Sequence, residues 1–473
     1  VADTSPLAAA WRELAEETTL TPTSLSLLRQ GKEYTFQDAS VRREWTIFPF
    51  LFRLKTPADE ERIRIDWEHE GWNWHDPGTV IRGSGLGGLN GVPQLAESLR
   101  RVWFEEDLGP AAGGVLSRGL EALAHDHESG ARQLADAALQ TLRGVVVEMN
   151  AGDCELDEWW ETVRFVAWHL WKNGRESMGA PIMSALFAVL ANIERVLEKG
   201  QGADQWRDAA LCELDAQIVA RQESADLISR AFAAYLETAF PLRRDSHQPI
   251  SILTISESST IRQALRHVAL ESNFHVHFHI LESRPLYEGV SLAGHLVEDL
   301  SAAAPPTTGA HSITLYTDAS AALASSNIDL VVLGGDRIAS CGDVSNKTGS
   351  LPTVLSARHV SPTAHIVVLA DSGKIALPGR PEDHIVEDND PSGVRHAWQS
   401  QYNSPWVRNA LKDVDSSDPN RTIKVEIRNV FFEWVQARLI DTYITESGEW
   451  TVQQIAEHSA RLETEERRFF RSL

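Results

Sequence analysis

Cysteine is scarce in this sequence, with only Cys154, Cys212 and Cys341 among 473 residues. So few, so scattered, exclude a disulfide framework and a cysteine metal knuckle, and they fit a reducing, cytoplasmic setting. Positive charge is short as well. Lys and Arg number 44 against 67 Asp and Glu, a net charge of −23, so the surface as a whole repels phosphate backbones and anionic lipid. Nucleic acid and membrane are therefore not expected partners. An anionic ligand has to be held by a few cations gathered in a cleft. No apolar run of bilayer length and no signal-peptide pattern is read in the chain. An initiator Met is absent too, and Val1 opens on a helix-start turn, so natural residues are expected upstream.

What is present begins with apolar substance: 42% hydrophobic residues, including 15 Trp, in a chain long enough for two or three domains. Residues 1–80 combine a short helical pattern with Trp-rich, strand-like runs, "SLSLLRQGKEYTF", "REWTIFPFLFRL" and "RIDWEHEGWNW". "GSGLGGLNG" opens a linker and connecting helix over 81–118. Residues 119–245 repeat apolar positions at helical spacing without strand signals. From 246 to 473 short β-rich runs ("ISILTI", "HVHFHIL", "SITLYT", "DLVVLG", "HIVVLA") alternate with amphipathic helices. That alternation predicts an α/β domain with a parallel sheet wrapped by helices on both faces.

In such a sheet, ligands sit beyond the carboxyl ends of the strands. The segments there are "SESS", "ESRP", "TDAS", "GGDR" and "ADSGK", so hydroxyl and charged groups collect on one rim. Arg284 and Lys347 are the expected phosphate holders, an Arg fork and a Lys point charge. Glu282, Asn346, Asp371 and Lys374 join them as substrate contacts. The bland alternative pairs Arg284 with nearby acids and leaves Lys347 solvated. Asp336, directly after an apolar strand, suits a general acid or base; capping a turn is its structural alternative. Asp343 is expected to shape its loop. Cys341 is read as a small loop residue rather than a reactive thiol.

"GGDRIASCGDVSNKTGS", "LESRPLYEG", "LYTDAS", "VLADSGK" and "DHESGARQLA" together resemble one superfamily. It holds methylthioribose-1-phosphate isomerase, ribose-1,5-bisphosphate isomerase and the α, β and δ regulatory subunits of translation initiation factor 2B. The resemblance implies a helical domain followed by a Rossmann-like domain, and a dimer or higher homo-oligomer. Its enzymes pair an Asp, matched by Asp336, with a Cys whose place is taken by Ser256 in Thr254-Ile255-Ser256. Arg175, in "GRESMGAPI", resembles a further phosphate-contacting Arg. Asp336, Arg337, Asp343, Asn346 and Lys347 resemble the enzymes; Ser256 and Glu288 resemble the translation-factor subunits. The implied ligand is a phosphorylated sugar or nucleotide and no cofactor is needed. The function is aldose–ketose phosphate isomerisation or, alternatively, non-catalytic metabolite sensing.

A second resemblance lies at the start. Arg12-Glu13-Leu14-Ala15-Glu16-Glu17 resembles the core of a Nudix box, with Glu13, Glu16 and Glu17 on one helix face where Mg²⁺ could sit among them. Thr4 and Thr19 stand where the box has Glu and Gly, so residues 1–80 are expected to form a partial Nudix-like domain. This implies a degenerate or truncated domain kept for packing or partner contacts, with diphosphate hydrolysis as the alternative function. The structural alternative is an amphipathic helix in which Arg12 offsets the repulsion by pairing with Glu16.

Overall fold

The computed structural model describes residues 3, 5–39, 41–83, 91–126, 129–149, 155–175, 179–199, 203–245, 248–272, 274–302, 311–384, 387–399 and 426–473. Most of the expected linker, together with Thr4 and Cys154, lies outside them. Two compact units form: Val1–Ile218 with Glu466–Leu473, and Val219–Glu465. The division falls inside the long helix Ala203–Ala239 rather than at residue 245. The reason is packing, because Ile228, Phe232 and Leu236 of that helix belong to the core beneath the sheet.

The first unit opens on the helix Pro6–Thr18, whose start is set by Pro6 and by Ser5 accepting the Ala8 N–H. Strands β1 (Leu25–Gln30) and β4 (Phe50–Leu54) pair antiparallel, as do β2 (Tyr34–Asp38) and β3 (Arg43–Ile47). "RIDWEHEGWNW" forms no strand. Asp66 instead accepts the Glu68 N–H and contacts His69 Nδ1 at 2.7 Å, turning the chain and leaving Trp67 89% exposed. The strands are tied to the helices within the unit. Buried Arg29 donates to both Glu105 oxygens, at 2.8 and 2.6 Å, and lies over the Phe104 ring. Gln30 exchanges backbone hydrogen bonds with the Asn173 side chain.

One helix departs from the expectation about apolar runs. Gly179–Leu197 is, by length and composition, long and apolar enough to cross a membrane. Its Ile182, Leu186, Val189, Leu190 and Ile193 are spent inside the unit, where all are buried.

The second unit is the expected α/β domain. Strands β5 (Ile250–Ile255), β6 (Val276–Leu281), β7 (Ser312–Tyr316), β8 (Leu330–Leu333), β11 (His365–Leu369) and β13 (Thr442–Thr445) run parallel, with β14 (Gly448–Trp450) antiparallel at one edge. All of β8 is buried, as a strand covered on both faces must be. The order β14-β13-β11-β8-β5-β6-β7 reverses direction between β5 and β8. In a doubly wound sheet that reversal opens the crevice where ligands bind. A second sheet, β12 (Phe432–Val435), β10 (Val344–Lys347) and β9 (Arg337–Ile338), stands beside it.

Candidate functional site

Ser256 follows β5 and Asp336 lies in the loop after β8, so the reversal brings their two loops to one crevice. Gly334 confirms the closeness, because a methyl group there would meet Ser258 Cβ at 3.6 Å and Asn346 Oδ1 at 3.4 Å. The Asp336 N–H donates to the Ser345 carbonyl, which anchors the half-buried residue to β10.

Asn346 and Lys347 are strand residues, contrary to the solvated-loop alternative. In β10 they pair with Glu433 and Phe432 across an antiparallel ladder. Asn346 Nδ2 donates to Ser350 Oγ at 2.8 Å. The Lys347 side chain, 9% exposed, places Nζ 2.9 Å from Glu288 Oε1 and 4.4 Å from the Phe431 ring centroid. The other Glu288 oxygen, Oε2, accepts Ser256 Oγ–H at 3.0 Å. Three elements thus meet at one carboxylate: the end of β5, the start of the helix Glu288–Ala302, and β10.

Arg284 takes the bland alternative. Its Nε donates to Glu282 at 2.9 Å, its guanidinium lies over Tyr287 at 5.3 Å, and its side chain is 42% exposed. Glu282 beside it raises the guanidinium pKa further. The Ser283 and Arg284 N–H groups donate to Asp318 after β7, which fixes the β6 loop. Arg284 and Lys347 are therefore neutralised by different acids and share no ion-pair partner.

Asp371 caps the turn after β11, accepting the Gly373 N–H at 2.8 Å and the Ser224 hydroxyl. Half-buried Lys374 closes that turn, its N–H donating to the Asp371 carbonyl. Asp343 accepts the Ala437 N–H, the loop-shaping role expected of it. Cys341 is exposed in the turn between β9 and β10. Arg175 belongs to the first unit, where its guanidinium donates to the Asp126 carbonyl at 3.0 Å.

Sequence reasoning noticed Glu288 but gave it no place in the site; the signal was an acid opening the helix after the β6 loop. It missed Glu446, which follows β13 and accepts Ser372 N–H at 3.0 Å. Burial, and then Asp371 nearby, push the Glu446 pKa up. The amino ends of the strands carry a cavity of about 660 Å³ beside His365, Asp441 and Trp450. Of its polar groups, Arg358 pairs with Asp441 at 2.8 Å and Tyr235 with His365 at 2.6 Å.

The Nudix-like helix does not gather a metal site. Arg12 pairs with Glu13 at 2.6 Å and Glu16 at 2.7 Å, as the structural alternative expects. Among the described residues no three His, Cys, Asp or Glu side chains are grouped to hold a metal ion. The donor set present does not fit Mg²⁺.

The model of the initiation factor 2 subunit family matches residues 127–452, and that of the NUDIX domain matches residues 2–87. A methylthioribose-1-phosphate isomerase of Pelotomaculum thermopropionicum is 28% identical over 263 residues, covering 54% of this chain and 64% of the relative. The chain thus spans slightly less than two thirds of that protein's length. One from Parabacteroides distasonis is 26% identical, over 57% of this chain and 72% of its own. The tetrameric eIF2B-beta2-delta2 complex from C. thermophilum shares the fold with a TM-score of 0.50 at 13% identity, covering 76% of this chain and 98% of the matched one.

Proposed function

We infer the function from one premise, that this chain belongs to the initiation factor 2 subunit family. We propose that the crevice between β5 and β8 binds a phosphorylated sugar and converts an aldose 1-phosphate into its ketose. The observation that supports this reading is the approach of the loops after β5 and β8 where the strand order reverses, with Gly334 lying against Ser258 and Asn346. Asp336 is the acid/base, Ser256 holds the thiol's place, and Asn346 with Arg284 and Lys374 supplies phosphate contacts. Glu282 and Asp371 orient those contacts and the sugar hydroxyls. No cofactor is required. A cytoplasmic homo-oligomer is the setting this reading implies.

The test is incubation with methylthioribose 1-phosphate and with ribose 1,5-bisphosphate, following the ketose carbonyl by ¹³C NMR. Ketose is expected from one of them, and Asp336→Asn is expected to lower kcat by at least ~100-fold, the usual worth of a positioned acid or base. A second reading, metabolite sensing without chemistry, draws on the Lys347–Glu288 pair and on Ser256 standing for a thiol. Thermal stabilisation by both sugars with no ketose from either would establish it and remove the first.

A further inference from the structure

A serine hydroxyl in the place of a thiol is a poor proton acceptor unless a base stands behind it. Here one does. Ser256 has a left-handed backbone, φ 69°, which aims the residue out of the end of β5. Its N–H is held by Ser283 Oγ at 2.7 Å and its hydroxyl donates to Glu288 Oε2 at 3.0 Å. Glu288 is pinned in turn. A methyl group on the next residue, Gly289, would lie 1.7 Å from the Leu281 carbonyl oxygen, so the helix start is pressed against the end of β6. The second Glu288 oxygen is fixed by Lys347 at 2.9 Å. The carboxylate is therefore held between the Ser256 hydroxyl and the Lys347 ammonium.

We infer that Ser256 and Glu288 form the proton-accepting arm of this site, Ser256 as the catalytic residue and Glu288 as the positioning residue behind it, held by Lys347. This rests on the isomerase reading. In the step, the ring C1–O bond of the aldose 1-phosphate breaks and the ring oxygen takes a proton from Asp336. Hydride passes from C2 to C1 with its electron pair. The C2 hydroxyl becomes a carbonyl and gives its proton to Ser256 Oγ, whose own proton moves to Glu288 Oε2. One proton enters the sugar and one leaves, and the hydride stays within it. Because the hydroxyl becomes strongly acidic as it turns into a carbonyl, a carboxylate acting through serine is base enough. Lys347 is thereby assigned to the carboxylate rather than to the phosphate.

The experiment compares kcat and KM for the parent chain, Glu288→Gln, Ser256→Ala and the double variant Ser256→Cys/Glu288→Gln, on whichever aldose 1-phosphate the parent turns over. Both single variants are expected to lose kcat at least 100-fold with KM within threefold, since the ligand contacts remain. The double variant is expected to regain at least tenfold over Glu288→Gln, because a thiol ionises without a partner. Ser256→Ala keeps the Lys347–Glu288 pair, so it reports even where Glu288→Gln folds poorly. Either single variant keeping kcat within threefold of the parent overturns the inference. Failure of the thiol to rescue a folded Glu288→Gln chain also overturns it, leaving Glu288 a structural role only. No ketose from the parent removes this inference together with the isomerase reading, whereas equal turnover by parent and variants removes this inference alone.

Discussion

Lys347 is the residue whose environment most changes its meaning. In the sequence it is a loop cation in "VSNKTG"; in the fold it is a strand residue, 7% exposed, packed on Phe431 and paired with Glu288. A long stem under aromatic rings can be buried cheaply, but the ammonium can follow only if a counter-charge goes with it. Removing one member of a buried pair leaves the other uncompensated. Lys347→Ala is therefore expected to lower the unfolding free energy by about 3 kcal/mol, the low end of the range for such pairs because Glu288 keeps some solvent contact. Urea denaturation measures it. Glu288→Ala in the Lys347→Ala background should cost little more, and a fully additive double variant would mean that the pair is not coupled.

Elements were legible in proportion to how much of their own reason they carried. The parallel strands β5, β6, β8 and β11 are apolar runs between turn signals, and they form where the pattern puts them. β10 was hidden, since Ser345, Asn346 and Lys347 are poor strand formers and are recruited by pairing with Phe432–Val435, far along the chain. β9, β12 and β14 are two to four residues long, too short to show alternation. The rim could be read because the strands before it could. The ion pairs that decide its chemistry could not, because they join residues distant in sequence. The helix Glu288–Ala302 offers a paired check. Gly289→Ala drives a methyl group onto the Leu281 carbonyl and is expected to cost more than ~3 kcal/mol or abolish soluble expression, as core overpacking does at its worst. Gly294→Ala, in the same helix with open space around it, is expected to gain about 0.5–1 kcal/mol from helix propensity. Equal melting temperatures for the two variants would contradict the close approach at residue 289.

For the whole molecule, charge and burial together set the response to acid. The chain carries −23 at neutral pH, and acidification relieves part of that self-repulsion. Burial also raises Asp107 and Glu446, which favours the folded state as pH falls. Five histidines among the described residues, His169, His279, His311, His384 and His458, act the other way, each lowered by burial. Burial, with Arg29 nearby, holds His169 down to about 3 between the rings of Phe104, Phe165 and Trp168. Burial likewise lowers His384 and His458 to about 4. Below its ordinary value of 6.5, the unfolded chain binds a proton at position 169 that the folded chain refuses until about pH 3. Stability from this residue is therefore complete above pH 6.5 and is lost as pH falls through that window. Between pH 6.5 and pH 5 the loss is about 2 kcal/mol, at 1.36 kcal/mol per unit. Denaturant unfolding at pH 7 and pH 5 should show His169→Gln losing less stability than the parent chain by about that amount, whatever its stability at pH 7. Equal losses would place a titrating or solvated imidazole where the structure puts a dry one, and with it would go the aromatic packing that joins the helix Leu156–Lys172 to Phe104.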